Sequence, residues 1–171
     1  GSKMVKVSWG QVGHNPACSS PSGRQVIGYQ PEFLASDPSG LLPASYITGQ
    51  CYSAVFPSVG YSVSNWLHAW IEYGGLDPLN PNEPCDLHDR IVYRTNDTPG
   101  LESEILSSSS SAASAGPPCV SADKRDGFVV SWSDASVVYL ARVKQGVNIW
   151  RAANSQGILS STAVSAFDDG S

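Results

Sequence analysis

The chain carries little charge. Only 15% of its 171 residues are Asp, Glu, Lys or Arg, against about 25% in an average soluble domain. Helices rely on Glu and Lys for their solvent-exposed faces, so this composition favours strands and turns. Lys and Arg number ten, the net charge is −5, and no basic cluster exists apart from Lys124-Arg125. Nucleic acids and anionic membranes bind clustered cations, so neither is a predicted partner.

Long apolar runs and catalytic motifs are missing as well. No stretch of about 18 apolar residues exists, so membrane insertion is not predicted. The chain has no Gly-x-Ser-x-Gly turn, no Gly-x-Gly-x-x-Gly phosphate loop and no Cys-x-x-Cys pair. These short motifs each carry a mechanism, and their absence favours a binding domain over an enzyme. No cofactor is predicted.

Turn residues between short apolar runs are abundant. The chain has 16 glycines and 12 prolines, and 41% of its residues are hydrophobic. From residue 127 to residue 167, strand-like runs recur every ~8–12 residues in a meander, which is typical of a sandwich or barrel. The sequence therefore predicts an all-β fold, an antiparallel sandwich or barrel-like domain with long irregular loops and at most short helical turns. The meander core is predicted to combine alternating residues of two strands: Phe128, Val130, Trp132, Val138, Leu140 and Arg142.

Further strands are predicted at residues 5–9, 25–34, 44–56 and 89–95. Residues 61–73 also alternate with a period of two, which favours a strand, and a helix capped by Ser64 is the alternative. Residues 101–106 predict a short helical turn. Residues 77–84 and 107–118, rich in proline or serine, predict irregular loops.

Four cysteines lie 33 or 34 residues apart, at Cys18, Cys51, Cys85 and Cys119. An even number of cysteines among turn residues predicts two disulfides and an oxidising, extracellular compartment. The sequence does not choose among the pairings, although Cys85–Cys119 is preferred because it would close the loop-rich segment between them. Four separately buried thiols are the alternative. The sequon Asn96-Asp97-Thr98 fits an exposed loop of a secreted glycoprotein.

The alternation in residues 61–73 places Trp66, His68, Trp70 and Glu72 on one strand face. Aromatic rings beside polar groups often hold sugars, because the ring supplies apolar area and the polar groups orient the ligand. These four are the predicted ligand-binding residues. The alternative is that this face is core, since large aromatic side chains are mostly buried.

Two weaker candidates for chemistry involve histidine. Asp86, His88 and Asp89 are ordinary metal ligands by type, but nothing nearby completes the ligand set by its spacing, so no metal site is predicted. A hydrolase would need His68 or His88 next to a carboxylate. On a strand, His68 and Glu72 are roughly 13 Å apart, which is too far for a hydrogen bond.

Gly1 and Ser2 read as a cleavage scar, and residues 3–171 are predicted to form a single β-rich domain of a longer protein. The composition is similar to that of adhesin and virus capsid spike domains. We expect a non-catalytic recognition domain, secreted or on a virion surface, that binds a cell-surface glycan or protein receptor for host attachment. A small secreted β-scaffold hydrolase using a histidine–carboxylate pair is the alternative. An exposed tryptophan face would also allow a homo-oligomer to form.

Overall fold

The computed structural model describes residues 4–12, 25–34, 45–46, 53–62, 65–73, 90–96, 104–108, 115–123, 127–144, 147–154 and 162–165. Every regular element in these ranges is a β-strand. The predicted all-β fold is confirmed. A search of the same residues finds no helix that could cross a membrane.

The described ranges hold eleven strands, which form three antiparallel sheets. Their bounds are β1 Met4–Val12, β2 Gln25–Leu34, β3 Ser45–Tyr46, β4 Ser53–Tyr61, β5 Trp66–Tyr73, β6 Arg90–Thr95, β7 Glu104–Ser108, β8 Cys119–Asp123, β9 Gly127–Asp134, β10 Val137–Val143 and β11 Val147–Asn154. The sheet orders are β1-β2-β3, β4-β5-β6-β7 and β11-β10-β9-β8. Within each sheet, strands that follow each other in sequence pair with each other, as antiparallel connections allow.

The two four-stranded sheets share one hydrophobic core. The β4–β7 sheet contributes Val55, Leu67, Ala69, Ile71, Ile91, Tyr93 and Leu106. The β8–β11 sheet contributes Phe128, Val130, Trp132, Ala141 and Val143. Strands β5, β6, β9 and β10 supply alternate residues to it, because successive side chains of a strand point to opposite faces. Burial of this apolar surface stabilises the pair of sheets by about 25 cal/mol for each Å² removed from water.

The hairpin of β9 and β10 turns through two residues, Ala135 and Ser136. Its register places three residues of β10 opposite the core residues of β9: Tyr139, Ala141 and Val143. The predicted core face of β10 was wrong, because the residues predicted to be core lie on the opposite face: Val138, Leu140 and Arg142. A shift of one residue in register exchanges the two faces of a strand.

The outer face of β9 carries two buried serines. Ser131 and Ser133 are 1% and 0% exposed. The Ser131 hydroxyl lies 3.0 Å from the Thr162 hydroxyl in a hydrogen bond, and Gly116 N donates to the Ser133 carbonyl. The sequence predicts that the meander closes with a strand at residues 158–167, but residues 162–165 are irregular, so this prediction is wrong there. Residues 158–161 and 166–167 lie outside the described ranges.

Other strand predictions are confirmed or corrected by the observed bounds. β2, β6, β10 and β11 occur where the sequence predicts strands, and β5 shows that the helix alternative is wrong at residues 66–73. The helical turn predicted at 101–106 is wrong from Glu104 onward, because β7 pairs with β6. β8 was not predicted. The predicted loop at 77–84 lies outside the described residues.

The two large sheets approach each other closely where β4 passes β8. Ser58 Oγ accepts a hydrogen bond of 3.0 Å from Val120 N. A Cβ atom at Gly60 would lie 2.6 Å from Val120 Cγ1 and 3.2 Å from Phe128 Cδ1. Packed carbon atoms prefer separations of about 3.5–4.0 Å, so this approach requires glycine.

We expect Gly60→Ala to destabilise the domain by about 1–3 kcal/mol, because the added methyl group overpacks the contact. Val120→Ala removes the group that the new Cβ would strike, so the double variant should recover part of the loss. Chemical denaturation of both single variants and the double variant measures this coupling. Additive losses would contradict the contact.

Candidate functional site

The predicted ligand-binding residues share one face of β5, and most of that face is buried. His68 and Trp70 are 0% exposed and Glu72 is 4% exposed, while Trp66 is half-buried. Val92, opposite Trp70 on β6, is also 0% exposed. The alternative prediction, that this face is part of the core, is therefore correct for His68, Trp70 and Glu72. A sugar ring cannot stack on a side chain that has no accessible surface, so we do not place a ligand here.

An ion pair between the buried Glu72 and the partly buried Arg90 joins β5 to β6. Glu72 Oε2 lies 3.0 Å from Arg90 Nη2 and accepts a hydrogen bond of 3.1 Å from Arg90 Nε. Trp70 Nε1 donates to Glu72 Oε1 at 3.2 Å. Glu72 and Arg90 are cross-strand partners, so the sheet register brings them together. Burial raises the pKa of Glu72, and the Arg90 charge and the hydrogen bonds from Trp70 and Arg90 offset part of this rise.

The hydrolase alternative gains no support from His68. Its ring lies edge-on against Trp66, with ring centroids 4.9 Å apart and an interplanar angle of 76°. Glu72, the nearest acid along the strand, directs its oxygens to Trp70 and Arg90. A fully buried imidazole also has no access to a substrate in solvent. His14 and His88 lie outside the described residues.

Most other predicted site residues also fall outside the described ranges: Asp86, His88, Asp89, Cys18, Cys51 and Cys85. In the part of the chain that is described, no group of three His, Cys, Asp or Glu side chains could hold a metal ion. Cys119 is half-buried and carries a free thiol in the structure. The disulfides stay predictions, which a non-reducing peptide map would test.

The sequon asparagine is exposed, but its amide group is engaged at both ends. Asn96 Oδ1 accepts a hydrogen bond of 3.1 Å from Trp66 N. Asn96 Nδ2 donates to Asn65 Oδ1 at 3.1 Å. An N-linked glycan would be attached at this nitrogen and would compete with the bond to Asn65. Glycosylation stays a prediction.

Among the residues whose exposure the structure describes, exposed apolar side chains concentrate on strand β11. Val147, Ile149 and Trp150 are 36%, 47% and 49% exposed. In the described part of the chain, β11 pairs with β10 alone, at the end of its sheet. Ile149 lies opposite the core residue Ala141, whereas Trp150 lies opposite Leu140. Cross-strand partners share a face, so Trp150 is directed away from the core.

Polar groups flank Trp150 on the same outer face. Asn148 is exposed and lies opposite Arg142. Arg142 Nη2 forms an ion pair with Asp123 Oδ2, and the two side chains are 37% and 18% exposed. The pair holds the guanidinium plane in place, since charge-assisted hydrogen bonds are short and directional. The Trp150 face is defined here as Trp150, Leu140, Asn148, Arg142 and Asp123.

Sequence reasoning predicted β11 as a strand but assigned no function to it. One local signal was available: Ile149 and Trp150 are adjacent large apolar residues, and neighbours on a strand cannot both face the core. Which of the two is exposed depends on the register with β10. That β11 is an edge strand depends on the order of strands in the sheet, which alternation does not report.

Comparisons with protein-family models, with curated proteins and with solved structures yield no match to this chain. Its function is therefore argued from the geometry of the described residues.

The raised pKa of Glu72 predicts how stability changes with pH. In the unfolded chain the carboxyl group titrates near 4.5, and in the folded domain its pKa is higher. The folded state thus binds the proton more tightly, and the contribution of Glu72 to the free energy of unfolding falls as the pH rises from 4.5 to the folded-state pKa. We therefore expect the free energy of unfolding of the wild type, relative to that of Glu72→Gln, to fall as the pH rises through this window. Chemical denaturation of both proteins at several pH values measures the difference.

Arg90→Met is the matched variant for this measurement. Removing the cation leaves the Glu72 carboxylate without its offsetting charge, so the pKa rises further and the window extends to higher pH. Loss of one partner from a buried ion pair also costs about 3–5 kcal/mol. A stability difference between wild type and Glu72→Gln that is independent of pH would refute the proposed shift.

Proposed function

We propose that the domain is a non-catalytic recognition module that binds a cell-surface glycan on the Trp150 face. The observation that carries the proposal is the 49% exposure of Trp150, on a strand that also carries the exposed Asn148, while the Arg142–Asp123 pair lies farther across the same face of the sheet. Tryptophan is highly buried on average. An exposed indole on a sheet is therefore unusual, and a ligand that covers the indole would explain it.

The chemistry of the Trp150 face matches that of a sugar ring. The apolar C–H face of a sugar can stack on the indole, which supplies flat apolar area at low entropic cost. The Asn148 amide on the same strand supplies a donor and an acceptor for hydroxyl groups, and the Arg142–Asp123 pair supplies more of both farther across the sheet. Because Arg142 and Asp123 neutralise each other, the face favours an uncharged sugar over an acidic one.

The composition supports an extracellular setting for this function, either secreted or on a virion surface. The low charged fraction and the four cysteines are typical of exposed, disulfide-containing domains. In such a setting the glycan would be a receptor for host attachment. A protein receptor is the competing ligand class, and glycosidase treatment of the target cells separates the two.

Trp150→Ala tests the site. We expect the wild-type domain to bind members of an immobilised glycan panel, and Trp150→Ala to lose at least about tenfold in affinity, or about 1.4 kcal/mol, measured by calorimetry with the strongest glycan. The melting temperature should change little, because surface substitutions shift stability by about 0.5 kcal/mol or less.

Phe56→Ala is the control, since Phe56 is 51% exposed on the other large sheet and should not affect binding. Trp70→Ala should instead destabilise the domain by about 3–5 kcal/mol, as expected of a core tryptophan. Equal affinity of wild type and Trp150→Ala would refute the site. Binding to cells that survives glycosidase treatment yet still requires Trp150 would identify a protein receptor.

A further inference from the structure

Thr162 lies on the outer face of β9, the same face of the sheet that presents Trp150 two strands away. Ser131 points away from the core, because its neighbours in β9 are core residues, yet it is 1% exposed. Its hydroxyl lies 3.0 Å from the Thr162 hydroxyl in a hydrogen bond. Leu140 is the cross-strand partner of both Ser131 and Trp150. Thr162 and Trp150 therefore stand on opposite sides of Leu140.

The space above Leu140, between Trp150 and Thr162, is called the Leu140 gap here. Neighbouring strands are about 4.8 Å apart, so the backbones at Trp150 and Ser131 are separated by roughly 10 Å. Side chains stand roughly perpendicular to a sheet, and the partly buried Leu140 forms an apolar floor. A flat ring packed on both sides needs roughly 7–8 Å, because packed carbon atoms lie about 3.5–4.0 Å apart. The Leu140 gap therefore has the width of one ring.

We propose that Thr162 is the second wall of the glycan site and that it selects a pyranose ring whose hydroxyls are all equatorial. This inference rests on the proposed function of the Trp150 face. An indole alone contacts one face of a sugar and leaves the other face in solvent, where an axial hydroxyl is tolerated. With Thr162 opposite the indole, an axial hydroxyl on either face meets a wall, and the clash rejects that sugar.

The hydrogen bond between Ser131 and Thr162 sets the width of the Leu140 gap. A buried hydroxyl needs such a partner, because its removal from water is otherwise costly. An apolar residue at position 131 would avoid this cost, but it would hold Thr162 only by contacts that have no direction. The serine fixes Thr162 above β9, and therefore at one distance from Trp150. Ser131 is thus a positioning residue, while Thr162 determines specificity.

NMR titration with two methyl glycosides tests the proposal. Methyl β-glucoside and methyl β-galactoside differ only in the hydroxyl at C4, which is equatorial in the first and axial in the second. We expect the glucoside to shift the indole Nε1–H signal of Trp150, which Trp150→Phe identifies. The glucoside should bind at least about tenfold more tightly than the galactoside, since overpacking by one small group is costly on this scale.

Substitutions at the two hydroxyls test the roles of Thr162 and Ser131. Thr162→Ala removes the wall and its hydrogen bond, so the two glycosides should bind within about twofold of each other. Ser131→Ala should reduce the preference in the same way, although residue 131 does not contact the ligand. Thr162→Ser keeps the hydroxyl and should retain most of the preference. Ser165→Ala, at an exposed position of the same segment, is the control and should behave like the wild type.

The possible failures are distinguishable. Equal affinities of the wild type for the two glycosides would overturn the role of Thr162 and leave the Trp150 face in place, and a preference that persists in Thr162→Ala would do the same. If neither glycoside shifts the Trp150 signal, this inference is overturned, and the glycan panel with Trp150→Ala decides the proposed function by itself. The amide spectrum recorded in each titration shows whether the variant is folded.

Discussion

The two-residue turn between β9 and β10 sets the register of these strands, and this register determines which side chains of the β8–β11 sheet reach the core. Ala135 in this turn has φ of 51°, in the left-handed region that costs a non-glycine residue about 1–2 kcal/mol. The register it permits stacks Trp132 on Tyr139, with ring centroids 5.6 Å apart and planes inclined by 13°. β11 takes its register from β10. The outward position of Trp150 is thus a consequence of a turn far from it in sequence.

Alternation alone was sufficient to predict β2, β6, β10 and β11, because these runs carry strand-forming residues between turn signals. It assigned the wrong face of β10, since Val138 and Leu140 on one face are more apolar than Tyr139 and Ala141 on the other. The length of the preceding turn supplies the missing information, because a two-residue turn pairs the last residue of one strand with the first of the next. β8 was missed because its short run, Cys119–Asp123, has only moderate hydrophobicity.

The candidate site shows a different limit of sequence reasoning. Trp70 and Trp150 each lie on a strand beside polar residues, and no local pattern separates them. β5 lies between β4 and β6, while β11 ends its sheet, and this difference accounts for full burial of one tryptophan and half exposure of the other. The ion pair of Glu72 and Arg90 likewise could not be predicted from the sequence. Its partners are 18 residues apart and meet only through the register of β5 with β6.

On the outer face of the β8–β11 sheet, polar side chains are buried and an apolar side chain is exposed, which is the reverse of the usual arrangement. The hydroxyls of Ser131 and Ser133 are withdrawn from water, at a desolvation cost that hydrogen bonds such as the one to Thr162 offset. The indole of Trp150, two strands away on β11, is half exposed to water. In the folded domain, apolar surface of Trp150 therefore remains in contact with water at one end of the sheet, which is unfavourable. Whatever covers that end releases ordered water, so association there should show the negative heat-capacity change of apolar burial.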